Sequence, residues 1–144
     1  MLTTIEKVIM LKTVSIFSRT SDEILAEIGS NLKEQFFQAG ETIVQKGDSG
    51  DRLYIIIAGQ VIVHDGDRVI TTFNERDIFG ELSVLDSEPR SASVTAVTDT
   101  DLFYLDQDAL FELMTARVEI LQGIMNVLCQ RIRQQNQKLV HGSQ

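Results

Sequence analysis

The chain has 144 residues, 43% of them hydrophobic and 24% charged, which suits one globular domain with its own core and argues against a disordered tail or a second domain. A formal charge of -8 disfavours a broad contact with nucleic-acid phosphates, which lysine and arginine must neutralise. The single cysteine, Cys129, excludes an internal disulfide, and Glu6, Lys7 and Lys12 interrupt the N-terminal apolar run before it could form a signal peptide or membrane span, so a reducing, cytoplasmic setting without direct membrane contact is expected.

From Ile5 to about Phe37 apolar residues recur at helical spacing, first Ile5, Val8 and Ile9, then Ile24, Leu25, Ile28 and Leu32. Thr20 followed by Glu23 has the form of a capping box. Residues 1–37 are therefore expected to be an N-terminal helical part. Between 38 and 106 short runs of Val, Ile, Phe and Tyr alternate with Gly and Asp turns such as GDSGD and HDGDR, the texture of an antiparallel β jelly-roll or barrel. LYIII and GQVIV predict two strands meeting at Gly59, and Asp65-Gly66 predicts a two-residue hairpin turn because glycine accepts a positive φ. Helical spacing returns at 107–140, with Asp106 as N-cap of a segment from Gln107 to Met114 and a longer helix from about Arg117 to Leu139. The expected fold is mainly β with flanking helices, in a single domain over 1–144.

The end of the chain differs in charge, since residues 117–144 carry about +3 and the remainder about -11. In the long helix Val118, Leu121, Met125, Leu128, Ile132, Gln135 and Leu139 alternate at three and four residues, a heptad seam suited to a partner helix. Ile120, Ile124 and Val127 lie on a neighbouring face suited to packing on the barrel. The alternative is one wide core-facing stripe. Gln135 is the polar residue in the seam.

The stretch FGELSVLDSEPRSASV, residues 79–94, combines a glycine, a carboxylate, the chain's only proline and an arginine. A short helical turn starting at Gly80 would aim the N–H groups of Leu82 and Ser83 at an anion, and the Arg90 fork suits a phosphate. Glu81 would repel phosphate but accept from a sugar hydroxyl, so the two demands together suggest a sugar phosphate. Pro89 stiffens the turn that presents Arg90, and Ser91 and the N–H of Ala92 could complete the anion's hydrogen bonds. On spacing alone, Glu81 and Arg90 fit an ordinary surface ion pair better than a ligand site.

The string F-G-E-L, six residues, then P-R-S-A resembles the phosphate-binding cassette of cyclic nucleotide-binding domains, here residues 79–93. KGDSGDRLYIIIAGQVIV, residues 46–63, is similar to that family's glycine-rich hairpin, and the helices on either side of the barrel match as well. The resemblance implies that Glu81 accepts from the ribose 2′-hydroxyl, that Arg90 pairs with the cyclic phosphate, and that Gly80, Leu82, Ser83, Ser91 and Ala92 supply backbone or hydroxyl contacts. Ser83 and Ser91 stand where eukaryotic kinase regulatory domains commonly have alanine, and serine after the arginine resembles bacterial transcription regulators of the family. The implied ligand is cAMP, possibly cGMP, with no further cofactor. In those regulators the corresponding helix dimerises and closes over the base, which implies a homodimer through the C-terminal helix and places Gln135 and Asn136 at the purine edge. Such regulators carry a DNA-binding helix-turn-helix after that helix, which this chain does not contain.

No catalytic set emerges. His64 and His141 lack partners at metal-ligand spacing, Cys129 sits in an apolar helix, and Asp48, Asp51, Asp65 and Asp67 fit turns. The function expected is a non-enzymatic cyclic-nucleotide sensor domain whose occupancy repositions the C-terminal helix. A dimerisation module that keeps the fold without nucleotide is the alternative, and an enzyme acting on a sugar phosphate is a remoter one.

Overall fold

The computed structural model describes residues 2–80 and 88–142. Helix α1 (Thr4–Lys12) opens on a capping box, in which the Thr3 hydroxyl accepts from the Glu6 N–H at 3.1 Å and the Glu6 carboxylate accepts from the Thr3 N–H at 3.2 Å. A 3-10 turn, Ser15–Phe17, leads to α2 (Asp22–Asn31). The cap of α2 is Ser21, whose hydroxyl accepts from the Ile24 N–H at 3.5 Å, and not the expected Thr20. Thr20 turns inward instead, buried and with its hydroxyl unpartnered among the described residues, which leaves the next hydroxyl for the solvent-facing cap.

The N-terminal helical part stops before residue 37. Lys33–Phe37 is strand β1, because it finds an antiparallel partner in β8 (Thr100–Asp106), from Lys33 opposite Tyr104 to Phe37 opposite Thr100. Pairing with a distant strand overrides local spacing here. Between them run β2 (Thr42–Val44), β3 (Arg52–Ala58), β4 (Val61–Asp65), β5 (Arg68–Phe73), β6 (Ile78–Phe79) and β7 (Ser93–Ala96). They form two four-stranded antiparallel sheets ordered β1-β8-β3-β6 and β2-β7-β4-β5, the expected jelly-roll with flanking helices.

The first sheet is covered on both faces, and this explains the unbroken run LYIII. Leu53 and Ile55 join the core beneath the helices, with Leu11, Phe17, Leu25, Phe103 and Leu110, while Tyr54 and Ile56 face the second sheet among Val61, Phe79, Val94 and Leu102. LYIII and GQVIV do meet at Gly59, but as strands of different sheets. The crossing requires glycine, since its φ is 109° and a Cβ would lie 2.7 Å from the Asp99 carbonyl oxygen. The β4–β5 hairpin pairs Asp65 with Arg68, so its turn residues are Gly66 and Asp67, one position later than expected.

Helix α3 (Gln107–Ala116) starts at Asp106, without a side-chain cap bond. The Asp106 carboxylate is drawn instead to Lys33 Nζ at 3.4 Å and Arg52 Nε at 3.9 Å. Helix α4 (Val118–Gly142) follows, with Ile120 and Ile124 buried against the helical core. Its Gly123 rests directly on the backbone of Ile16, where an added Cβ would overlap the carbonyl. Gly123→Ala is expected to lever α4 off the 3-10 turn and destabilise the fold by about 1–3 kcal/mol, the usual size of an overpacking error. Chemical denaturation checks this, and an unchanged midpoint would show that the crossing tolerates a methyl group.

Candidate functional site

Arg90 is held by the turn that precedes β3. Its N–H donates to the Asp48 carbonyl at 2.8 Å, its carbonyl accepts from the Gly47 N–H at 2.9 Å, and Ser49 bridges Pro89 in antiparallel fashion. The Asp48 N–H donates to the Gln45 carbonyl at 3.1 Å and Gly47 has φ 90°, so the GDSGD turn is a tight loop whose backbone fixes the arginine's main chain. One step further on, Ser93 Oγ accepts from the Lys46 N–H at 2.9 Å.

The guanidinium itself is buried, with Arg90 only 8% exposed. Nη1 donates to the Gly80 carbonyl at 2.9 Å and Nη2 to the Arg52 carbonyl at 3.0 Å. Neutral carbonyls satisfy hydrogen bonds but do not neutralise charge, and among the described residues Arg90 forms no ion pair. Burial accordingly pulls its pKa below the usual arginine value, against the opposing fields of Tyr54 and Asp51, though an arginine stays cationic at neutral pH. The result is a buried cation with no ion-pair partner among the described residues.

Gly80 makes this geometry possible. Its φ is 88°, and a Cβ there would lie 2.7 Å from the Arg52 carbonyl oxygen and 2.8 Å from Arg90 Nη1. Arg90 and Gly80 are thus brought together as the sequence suggested. Ser91, exposed, and Ala92, half-buried, lead directly into β7. Glu81, Leu82 and Ser83 lie outside the described residues. Gln135 and Asn136 are exposed on α4, one turn beyond Arg131, where that helix touches the barrel.

Arg131 escaped the sequence reading. It donates through Nη2 to the Ile78 carbonyl, and its Cζ stands 4.7 Å from the centre of the Phe73 ring. Burial pulls its pKa down, opposed by Asp77. A signal was present, because Arg131 continues the inward-facing series Ile120, Ile124, Val127 at the same spacing. The carbonyl of Arg52 was also missed, and backbone acceptors leave no mark in a sequence.

Residues 34–117 match the family model of the cyclic nucleotide-binding domain. The chain belongs to this family. It is 35% identical over 135 residues to the "CRP-like cAMP-activated global transcriptional regulator" of Mycobacterium tuberculosis, an alignment covering 90% of this chain and 60% of the relative. It is 35% identical over 111 residues to a cAMP-dependent protein kinase regulatory subunit of Dictyostelium discoideum, covering 72% of this chain and 32% of that protein. Among solved structures, the Thermus thermophilus catabolite activator protein superposes with a TM-score of 0.81 at 28% identity, over 90% of this chain and 63% of that one. This cyclic nucleotide-binding domain therefore spans less than two thirds of the length of these relatives, which are regulators. Among the described residues no group of three or more His, Cys, Asp or Glu side chains could hold a metal ion, and no helix is long and apolar enough to cross a membrane.

Proposed function

We propose that the chain acts over its whole length as a non-enzymatic sensor domain that binds cAMP in preference to cGMP. The observation that carries this reading is Arg90, a buried guanidinium held by two neutral carbonyls and, among the described residues, by no counter-charge. Such a group favours an anion that can reach it, and a cyclic phosphate is the anion the family membership supports. Glu81 takes the ribose 2′-hydroxyl, while Gly80, Leu82, Ser83, Ser91 and Ala92 surround the phosphate. The choice of cAMP draws support from the relatives, two of which carry cAMP in their names. Gln135 and Asn136 read the purine edge when α4 moves over the barrel, and that movement is the output. The domain works in the cytoplasm, without direct contact to nucleic acid or membrane. Mass spectrometry of small molecules released from purified, denatured protein tests the assignment. cAMP at a stoichiometric level is expected, and a different nucleotide would redirect it.

The exposed seam of α4 supports a homodimer. Val118, Leu121, Met125, Ile132 and Leu139 are all exposed, while Ile120 and Ile124 are buried in the chain's own core. Leu128 departs from the expected division, since it is partly buried against that core and serves both faces. Met125, 54% exposed, and Ile132, 58% exposed, are therefore the positions at which the seam can be broken without harming the monomer. Met125→Glu with Ile132→Glu is expected to give a folded monomer by sedimentation, from a two-fold dimer in the unaltered protein. A monomeric unaltered protein at high micromolar concentration would refute the dimer.

A further inference from the structure

Two arginines from different parts of the fold grip the same short stretch of chain. Ile78, Phe79 and Gly80 run consecutively; Arg131 of α4 donates to the carbonyl of Ile78, and Arg90 donates to the carbonyl of Gly80 at 2.9 Å. Phe79 stands between those carbonyls. Its ring stacks on Tyr54, with centroids 4.9 Å apart, and lies nearly parallel to Phe73 of the other sheet, 6.5 Å away with 7° between the planes. The Phe73 ring in turn carries the Arg131 guanidinium at 4.7 Å. Arg90 and Arg131 are therefore joined twice, once along the backbone of residues 78–80 and once through the rings of Phe79 and Phe73.

The strip pairs with β3 through Tyr54 opposite Phe79 and Ile55 opposite Ile78, and just before it the Ile56 N–H donates to the Asp77 carbonyl at 3.0 Å and the Ile56 carbonyl accepts from the Arg76 N–H at 2.8 Å. A two-residue strand anchored at that end passes a shift of Gly80 along its short ladder. Tight packing makes such a shift felt next door, because rings in a core cannot move independently of their neighbours. Arg131 also lies one helical turn before Gln135, on the neighbouring face of α4, so a shift of its seat moves the stretch that carries Gln135.

We propose that Arg131 and Phe73 are a positioning pair that makes the docking of α4 depend on what Arg90 is bonded to. When an anion draws the Arg90 guanidinium from the Gly80 carbonyl, β6 relaxes, the stack of Phe79 on Phe73 shifts, and Arg131 loses part of its seat. The proposal rests on the nucleotide reading for the identity of that anion, but the link is a property of the ligand-free chain.

The single cysteine supplies the probe, because Cys129 is exposed on α4 two residues before Arg131. A nitroxide attached there reports helix mobility in the ligand-free 144-residue chain, without cAMP. Arg90→Lys, whose single ammonium nitrogen replaces the two nitrogens that now reach separate carbonyls, is expected to raise the mobile fraction about three-fold, and Phe73→Leu, which keeps an apolar side chain but removes the ring, about five-fold. Combined, the two are expected to do no more than Phe73→Leu alone, the mark of residues acting through one path. Phe73→Tyr, which keeps the ring, is expected to preserve the response to Arg90→Lys. An unchanged spectrum in Arg90→Lys, multiplying effects in the double variant, or a Phe73→Leu protein that still responds fully to Arg90→Lys would overturn the link. No nucleotide enters the measurement, so a failure of nucleotide binding is registered separately, by titration.

Discussion

Arg90→Ala is expected to weaken cAMP binding by about 2–5 kcal/mol, roughly 30- to 5000-fold, while leaving the barrel folded. The size follows from the site. A phosphate that enters beside a buried guanidinium gives up its hydration and depends on that charge to replace it, so removing the arginine strands a desolvated anion. Stability should suffer less than affinity, and has a compensating gain, because Arg90 as it stands is a buried cation bonded to two neutral carbonyls. Removing it frees the carbonyls of Gly80 and Arg52 but also relieves the cost of burying the charge. Competition against a fluorescent cyclic nucleotide, read beside a denaturation curve, separates the two effects. Near-normal affinity in a folded Arg90→Ala protein would mean that the phosphate is held elsewhere.

Gly80→Ala is expected to damage both binding and stability. The left-handed backbone at φ 88° costs an L-residue about 1–2 kcal/mol, and the added methyl meets the Arg52 carbonyl oxygen at 2.7 Å and Arg90 Nη1 at 2.8 Å. Neither neighbour can yield freely, because the carbonyl belongs to a central strand and the guanidinium is buried. Gly66→Ala is the matched control, with φ 59° and nothing within 4 Å of the new Cβ, so it carries backbone strain without a clash. Gly80→Ala should therefore lower stability by about 2 kcal/mol or more, exceed Gly66→Ala, and reduce cAMP affinity at least ten-fold. Equal stability loss in the two variants would show that the contact with Arg90 adds nothing.

The comparison of these two glycines shows what a sequence carries and what it withholds. Both stand in turn contexts and both have positive φ, but their surroundings differ because Gly80 faces a strand and an arginine that the chain brings up from elsewhere. The jelly-roll class was legible because short runs of Val, Ile, Phe and Tyr recur between closely spaced Gly and Asp turns. Strand β1 was not, since Lys33–Phe37 follows a helical pattern and its pairing with β8 is set by residues at the other end of the chain. Neither was the division of the strands between two sheets, which local pattern does not encode. The choice of Ser21 over Thr20 as a cap turned on which hydroxyl the core would take. Asp106 marked the start of α3, yet Lys33 and Arg52, remote in sequence, claimed its carboxylate.

At the candidate site, Gly80 and Arg90 could be named from their motif, and the structure shows them in contact. The motif was silent on Arg52, which acts through its carbonyl, and on the GDSGD turn as the clamp on Arg90's backbone. Arg131 was legible in principle, as a cation on the buried face of an otherwise apolar helical series. Its partners Phe73 and Ile78 became visible only when the two sheets were folded over one another.

The central claim is that the buried guanidinium of Arg90, bonded to the carbonyls of Gly80 and Arg52, marks a cyclic-nucleotide site. Calorimetric titration of protein stripped of ligand by unfolding and refolding, with cAMP as titrant, tests it most directly. Saturable heat with one nucleotide per chain, and weaker binding of cGMP, is the predicted result. No heat at millimolar cAMP from correctly refolded protein would contradict the account and leave a dimerisation module that keeps the fold without the nucleotide.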